Sequence, residues 1–234
     1  MGTKGMKGMK KTVYTLCVDN YEPEITAITF PLLKAYAQKI GADFYVITER
    51  KHPDKPPVYE KFQIWDLSAE AGNDWNIFFD ADALIHPDFW DVTAVIGKDM
   101  TVSYGQDFTP VRFTPDKYFL RDRRWIGKGN WCLMASDWCT DIWHPLDDIT
   151  FEEAVANIHP TVQESSTGVI KPQHLIDDYI VSRNIARYGL KHVLIPELMA
   201  TFPNSGVPFY HEYRVSGEKK VMLLRQKLRE WGVA

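Results

Sequence analysis

Apolar positions along the chain fall into short blocks that switch between a period of two and a period near 3.6. Thr12 to Val18 (TVYTLCV) is a β-branched and aromatic run ending at Asp19-Asn20, the pattern of a buried strand that opens into a loop. Leu32, Leu33, Tyr36, Ala37 and Ile40 then recur at helical spacing behind Pro31, with Gly41 beyond them. A helix is therefore predicted from about Phe30 to Ile40. Phe44 to Thr48 (FYVIT) is a second strand, and the polar, proline-rich stretch Glu49 to Val58 is a loop. A second helix follows near Tyr59 to Ala69, with Phe62 and Trp65 on its apolar face. Trp75 to Phe79 (WNIFF) is a third strand that runs directly into Asp80-Ala81-Asp82. Strand, helix, strand, helix, strand is the pattern of right-handed parallel crossovers, which predicts an α/β fold with an open, mostly parallel sheet flanked by helices.

The second half is less regular. Thr101 to Tyr104 and Trp131 to Ala135 have strand composition, separated by a loop rich in arginine and aromatics from Phe108 to Arg124. Glu152 to Ile158 fits a short helix, and Val162 to Pro172 reads as a loop. Asp177 to Tyr188 carries Ile180, Val181, Ile185 and Tyr188 at helical spacing, with Gly189 as its stop. Val193 to Ile195 is a strand and Val221 to Trp231 a terminal helix with a basic face. The Gly/Lys/Met tract from Met1 to Lys11 reads as a disordered tail. No internal repeat or linker divides residues 12–234, so they are expected to form one domain.

Composition narrows the possibilities. The chain has 234 residues, 45% hydrophobic and 25% charged, which suits a globular domain able to bury a core without covalent staples. Lys+Arg 27 against Asp+Glu 31 leaves a net charge of -4, the wrong balance for a nucleic-acid partner. Cys17, Cys132 and Cys139 have no short C-x-x-C spacing and read as buried small hydrophobes. With no run of ~20 apolar residues and no apolar stretch after the first lysines, a cytoplasmic address is expected.

The strongest local chemistry is Ile77-Phe78-Phe79-Asp80-Ala81-Asp82-Ala83-Leu84-Ile85. Two carboxylates one residue apart, at the end of a buried strand, can converge on one hard divalent cation such as Mn²⁺ or Mg²⁺. Two solvated aspartates at a strand end would look the same. In open α/β sheets ligands bind beyond the carboxyl ends of the strands, and both Asp19-Asn20 and Asp80-Ala81-Asp82 fall there.

The stretches Tyr59-Glu60-Lys61-Phe62-Gln63-Ile64-Trp65-Asp66-Leu67 and Asp74-Trp75-Asn76-Ile77-Phe78-Phe79-Asp80-Ala81-Asp82 resemble nucleotide-sugar-dependent glycosyltransferases of the GT-A fold. The similarity is to the glycogenin-like and galactosyltransferase-like families and runs from about Thr12 to Asp91. Asp19-Asn20-Tyr21 resembles their first-strand segment, whose aromatic residue lies against the base. Gly129-Asn130-Trp131-Cys132 resembles an Asn-containing strand near the donor sugar. The resemblance implies a single Rossmann-like domain and places Asp80 and Asp82 on the metal that holds a donor diphosphate. It further implies that a C-terminal histidine completes that metal site, and His211 in Phe209-Tyr210-His211-Glu212-Tyr213 matches best. Gly217 and Lys219-Lys220 follow, farther from the histidine than in those families. Lys219 is expected at the diphosphate, with Asn20, Tyr21, Lys61 and Asp80 also at the donor. A lysine is what charge growing on a departing nucleoside diphosphate calls for.

Asp177-Asp178 opens the helix that ends at Tyr188. The pair reads either as an N-terminal cap alone or as placing a carboxylate over the acceptor or donor sugar. In the second reading one of them is expected to act as general base on an acceptor hydroxyl in an inverting enzyme, or to orient the sugar or stabilise positive character at the anomeric carbon in a retaining one. Both are catalytic candidates, with Asp178 favoured as base and Asp177 as cap. The Arg/aromatic loop reads as solvated surface, or as a lid or acceptor platform.

The resulting expectation is a metal-dependent hexosyltransferase that uses a nucleoside-diphosphate sugar, UDP-linked, and a carbohydrate or other hydroxyl acceptor. The basic face of Arg225, Lys227 and Arg229 would be solvated or touch a membrane carrying a lipid-linked acceptor. Two alternatives remain open: a catalytically inactive nucleotide-sugar-binding protein on the same fold, and a haloacid-dehalogenase-like phosphohydrolase with Asp80 as nucleophile. A nucleotidyltransferase would want a Gly-rich phosphate loop where Asp19-Asn20-Tyr21-Glu22-Pro23 stands.

Overall fold

The structure, a computed structural model, describes residues 8–104, 112–115, 117–120, 130–166, 168, 170–200 and 209–233. Eight strands are present among them: β1 (Lys11–Leu16), β2 (Asp43–Ile47), β3 (Trp75–Asp80), β4 (Leu84–Ile85), β5 (Met100–Ser103), β6 (Cys132–Ser136), β7 (Lys191–Leu194) and β8 (Phe209–Tyr210). The described α-helices are α1 (Pro23–Lys39), α2 (Ile64–Ala71), α3 (Lys117–Leu120), α4 (Phe151–Ala156), α5 (Val162–Ser166), α6 (Ile176–Tyr188), α7 (Ile195–Ala200) and α8 (Gly217–Glu230). Six strands form the central sheet in the order β2-β1-β3-β6-β5-β7. Only β6 runs against its neighbours, so the sheet is mostly parallel as expected.

Alternation along the strands divides the core between the two faces. Val13, Ile77, Phe79, Met134 and Val102 pack with Leu33, Tyr36 and Ala37 of α1. Tyr14, Phe78 and Leu133 point the other way, onto Phe62, Ile64 and the α6 residues Tyr179, Ile180 and Ile185. Being covered on both faces is what makes β1 and β3 read as continuous apolar runs rather than alternating ones. From β1 the chain crosses to β2 on one side and then to β3 on the other. The carboxyl ends of β1 and β3 therefore meet where the strand order reverses, with Leu16 opposite Asp80.

Several boundaries differ from the sequence expectation. Strand β1 begins at Lys11, inside the expected tail, because the Lys11 ammonium reaches Asp91 at 2.5 Å and the Lys10 N–H donates to Asp74 at 2.8 Å. Residues 1–7 lie outside the described residues. Helix α1 starts at Pro23 rather than near Phe30, which leaves the exposed Pro31 inside it. Burial of Ile25, and a hydrogen bond from the Thr29 hydroxyl to the Ala81 carbonyl, override the proline there. The helix expected near Tyr59 opens as a 3-10 turn, Pro57–Gln63, before α2. The segment Val162 to Pro172, expected as loop, contains α5, and α8 begins at Gly217 instead of Val221.

The small antiparallel pair β4–β8 was not anticipated at all. It matches Leu84 with Tyr210 and Ile85 with Phe209, two chain segments far apart in sequence. Beneath it, Ile25, Leu84, Val221 and Leu224 form an apolar cluster that seats α8 against α1. The three cysteines are free, with Cys132 and Cys139 buried. Among the described residues no helix is long and apolar enough to cross a membrane.

Candidate active site

A cavity of about 1150 Å³ opens beyond the carboxyl ends of β1 and β3. The turn after β1 forms one wall. Asp19, Asn20 and Glu22 have positive φ (55°, 56° and 24°), a conformation costly for residues other than glycine and held here by side-chain ties. Arg50 pairs with Asp19 at 2.5 Å, and the Glu22 carboxylate accepts the Gly217 N–H at 2.8 Å. Asn20 is exposed and does not line the cavity, whereas Asp19 and Tyr21 do. Tyr21 spends its hydroxyl on Asp82 at 3.1 Å.

At the end of β3 the structure brings together Asp80, Asp82 and His211, whose ligand atoms all lie within 4.8 Å of one another. The His211 Nε2 is 3.1 Å from Asp82 and 3.7 Å from Asp80. The β4–β8 register delivers the histidine: with Leu84 opposite Tyr210, the residue directly after β8 arrives beside the aspartate turn. Two buried lysines complete the surroundings. Lys61 contacts Asp80 at 3.4 Å and also pairs with Asp177, while Lys220 pairs with Asp82. Lys219, expected at the diphosphate, is exposed; its neighbour Lys220 is 3% exposed and points into the cavity. Helical register decides this, since Lys220 shares the inward face with Val221 and Leu224.

The electrostatics follow from this packing. Burial pushes Asp82 up, but His211 and Lys220 outweigh it and hold its carboxyl well below the usual carboxylate range. Asp80 is raised, because burial outweighs Lys61 and His211. Lys61 also goes up, with Asp177 and Asp80 overcoming its burial. Burial and then Asp82 push the Tyr21 phenol up as well.

The opposite wall is built around Asp178. One of its oxygens accepts the Asn130 N–H at 3.0 Å and the other takes Arg112 at 3.0 Å. Burial, then repulsion from Asp177, push its carboxyl up to about 7 against the pull of Arg112 and Lys61. Arg112 is only 3% exposed and also pairs with Glu164, which in turn accepts the Tyr213 hydroxyl at 3.0 Å and the Thr161 N–H at 2.9 Å. Arg112 therefore belongs to the cavity wall rather than to a solvated surface. Farther along the same loop the chain forms the short helix α3, where a loop was expected, and residues 116 and 121–129 lie outside the described residues.

Asp177 is not the cap of α6. The helix starts at Ile176, and Asp177 is held instead by Lys61 and by the Asp178 N–H at 3.0 Å. Both atoms of the Asn130 carboxamide are buried on the cavity wall without a hydrogen-bond partner among the described residues. A buried amide left so is expensive unless a ligand meets it.

The donor set fits a divalent cation. Two carboxylates and one imidazole suit Mn²⁺ or Mg²⁺ with water or phosphate oxygens filling the remaining positions. The charges agree. Asp80, Asp82, Asp177, Asp178 and Glu164 lie against Lys61, Lys220 and Arg112, so carboxyl groups outnumber the basic side chains in this cluster, a balance that favours a cation.

Arg112, Glu164, Lys220 and Tyr213 were not singled out from the sequence. Only Lys220 carried a usable signal there, lying four residues before Leu224 on the apolar stripe.

No family model matches the chain, and no curated protein does. Among solved structures, a glycosyltransferase involved in the glycosylation of the major capsid of PBCV-1 is similar over 92% of this chain and 98% of its own, with a TM-score of 0.50 and 10% sequence identity. At that identity the likeness is one of fold: the mostly parallel sheet flanked by helices, of GT-A type, is shared with a glycosyltransferase.

Proposed function

We propose that the protein is a metal-dependent glycosyltransferase that moves a hexose from a nucleoside-diphosphate sugar, UDP-linked, to an acceptor hydroxyl. The observation that carries this reading is the convergence of Asp80, Asp82 and His211 at the carboxyl end of the sheet. A Mn²⁺ or Mg²⁺ ion held by these three would neutralise charge on the departing diphosphate. Lys61 and Lys220 place two further positive charges beside the same carboxylates, where that charge develops. Asn130 offers a donor and an acceptor, the pair a sugar hydroxyl needs.

Asp178 is the group proposed to take the proton from the acceptor hydroxyl. A carboxyl near 7 divides between acid and base at neutral pH, as general catalysis requires. Asp177 fixes Lys61, and Arg112 holds the aspartate it would otherwise leave unbalanced. Tyr21, with its hydroxyl engaged on Asp82, offers its ring to the base from the turn after β1.

The test is a panel of nucleotide sugars incubated with the protein in Mn²⁺ and in chelator. Release of UDP from one donor, requiring metal and lost in Asp82→Asn, is the expected result. Metal-dependent donor binding without release would identify a binding protein on this fold. Failure of every donor to bind in any metal would sink the proposal.

A further inference from the structure

Asp80 ends β3 and Asp82 sits in the turn directly after it, but the third member of the cluster follows a two-residue strand. Its imidazole must present Nε2 to both carboxylates at once, so the ring's rotation is as important as its position. Metal-binding histidines are usually aimed by a hydrogen bond at their other nitrogen, from a carboxylate or a carbonyl. Among the described residues, Nδ1 of His211 has no such partner. Something else has to fix the ring.

Two aromatic faces lie against it. The Trp131 indole stacks on the imidazole with centroids 5.0 Å apart and planes 26° from parallel, and the Tyr213 phenol stacks at 6.3 Å and 21°. Both are themselves held. The Trp131 carbonyl accepts the Asp80 N–H at 2.8 Å, and its ring packs edge-on against Tyr104 and Phe209. Tyr213 donates its hydroxyl to Glu164 at 3.0 Å.

We propose that Trp131 and Tyr213 are positioning residues, an aromatic clamp that orients His211 as a ligand for the divalent cation. Trp131 ties that ring to Asp80 through its own backbone, so two members of the cluster share one support. Tyr213 ties it to Glu164, and through Arg112 to Asp178 on the opposite wall. The inference rests on the metal-site reading above.

The test measures Mn²⁺ affinity of the full chain by the electron-paramagnetic-resonance signal of the free ion, with no substrate present. Tyr213→Leu and Trp131→Leu are expected to weaken Mn²⁺ binding about tenfold, the scale of lost outer-sphere support. Tyr213→Phe keeps the ring face and is expected to retain most of the affinity. In a His211→Ala background, Tyr213→Leu should cost nothing further, because the clamp acts only through that ring. A merely structural role would instead give an additive loss there.

Tyr213 is 37% exposed, so its replacement opens no core cavity and decides the matter even if Trp131→Leu does not fold. Wild-type affinity in Tyr213→Leu, or an additive loss in the His211→Ala background, overturns the clamp alone. No Mn²⁺ binding by the wild-type chain overturns the metal site and the clamp together.

Discussion

Asp178 shows how burial changes the titration of an ordinary side chain. Its carboxyl is pushed up to about 7 by burial and by Asp177, whereas an unfolded aspartate titrates near 3.9. Between about pH 4 and pH 7 the native chain therefore holds a proton that the unfolded chain has lost. Asp178's contribution to stability is complete below that window and declines as pH rises through it. Urea unfolding at pH 5 and pH 7.5 in chelator should show Asp178→Asn gaining stability relative to wild type as pH increases. A difference independent of pH would mean that the native carboxyl titrates where free aspartate does. At this scale the paired aspartates of the Asp-x-Asp turn were legible, because their chemistry is local. Arg112 and Glu164 were not. An arginine in a loop rich in arginine and aromatics reads as solvated until its carboxylate partners arrive from α5 and α6.

Among the elements, the three parallel strands and the helix ending at Gly189 were legible from periodicity and stop signals, and Gly189 adopts the left-handed φ of 66° that such a stop uses. The β4–β8 pair was not, since two residues per strand carry no period. Its stability comes from packing. Phe209 is 3% exposed and meets the rings of Phe79, Phe89, Tyr104 and Trp131. Phe209→Ala should cost about 3–5 kcal/mol in chemical denaturation, the usual range for a buried phenylalanine. The same variant should weaken Mn²⁺ binding, because this ring anchors the strand that His211 directly follows. Lost stability with unchanged metal affinity would separate the strand from the site.

In the whole molecule the proposed metal site exists only when β3, β4 and β8 are assembled, so a divalent cation bound there would favour the folded state. Mn²⁺ at 100 times its dissociation constant should stabilise the native chain by about 2.7 kcal/mol, or roughly 5–10 °C in melting temperature for a chain of this length. Asp80→Asn with Asp82→Asn should abolish that shift, and a shift that survives would place the ion elsewhere. The sequence by itself determined the α/β class, the position of the Asp-x-Asp turn at a strand end and the parallel core. These depend on hydrophobic period and on residues near one another in the chain. Only the tertiary structure decided that Lys220 rather than Lys219 faces the site, that Asp177 serves Lys61 rather than the helix end, and that Trp131, His211 and Tyr213 stack. The apolar stripe of α8 marks the face Lys220 lies on, but which site that face meets, like the Asp177 and His211 contacts, turns on the partner that arrives from a distant segment and leaves no local pattern to read.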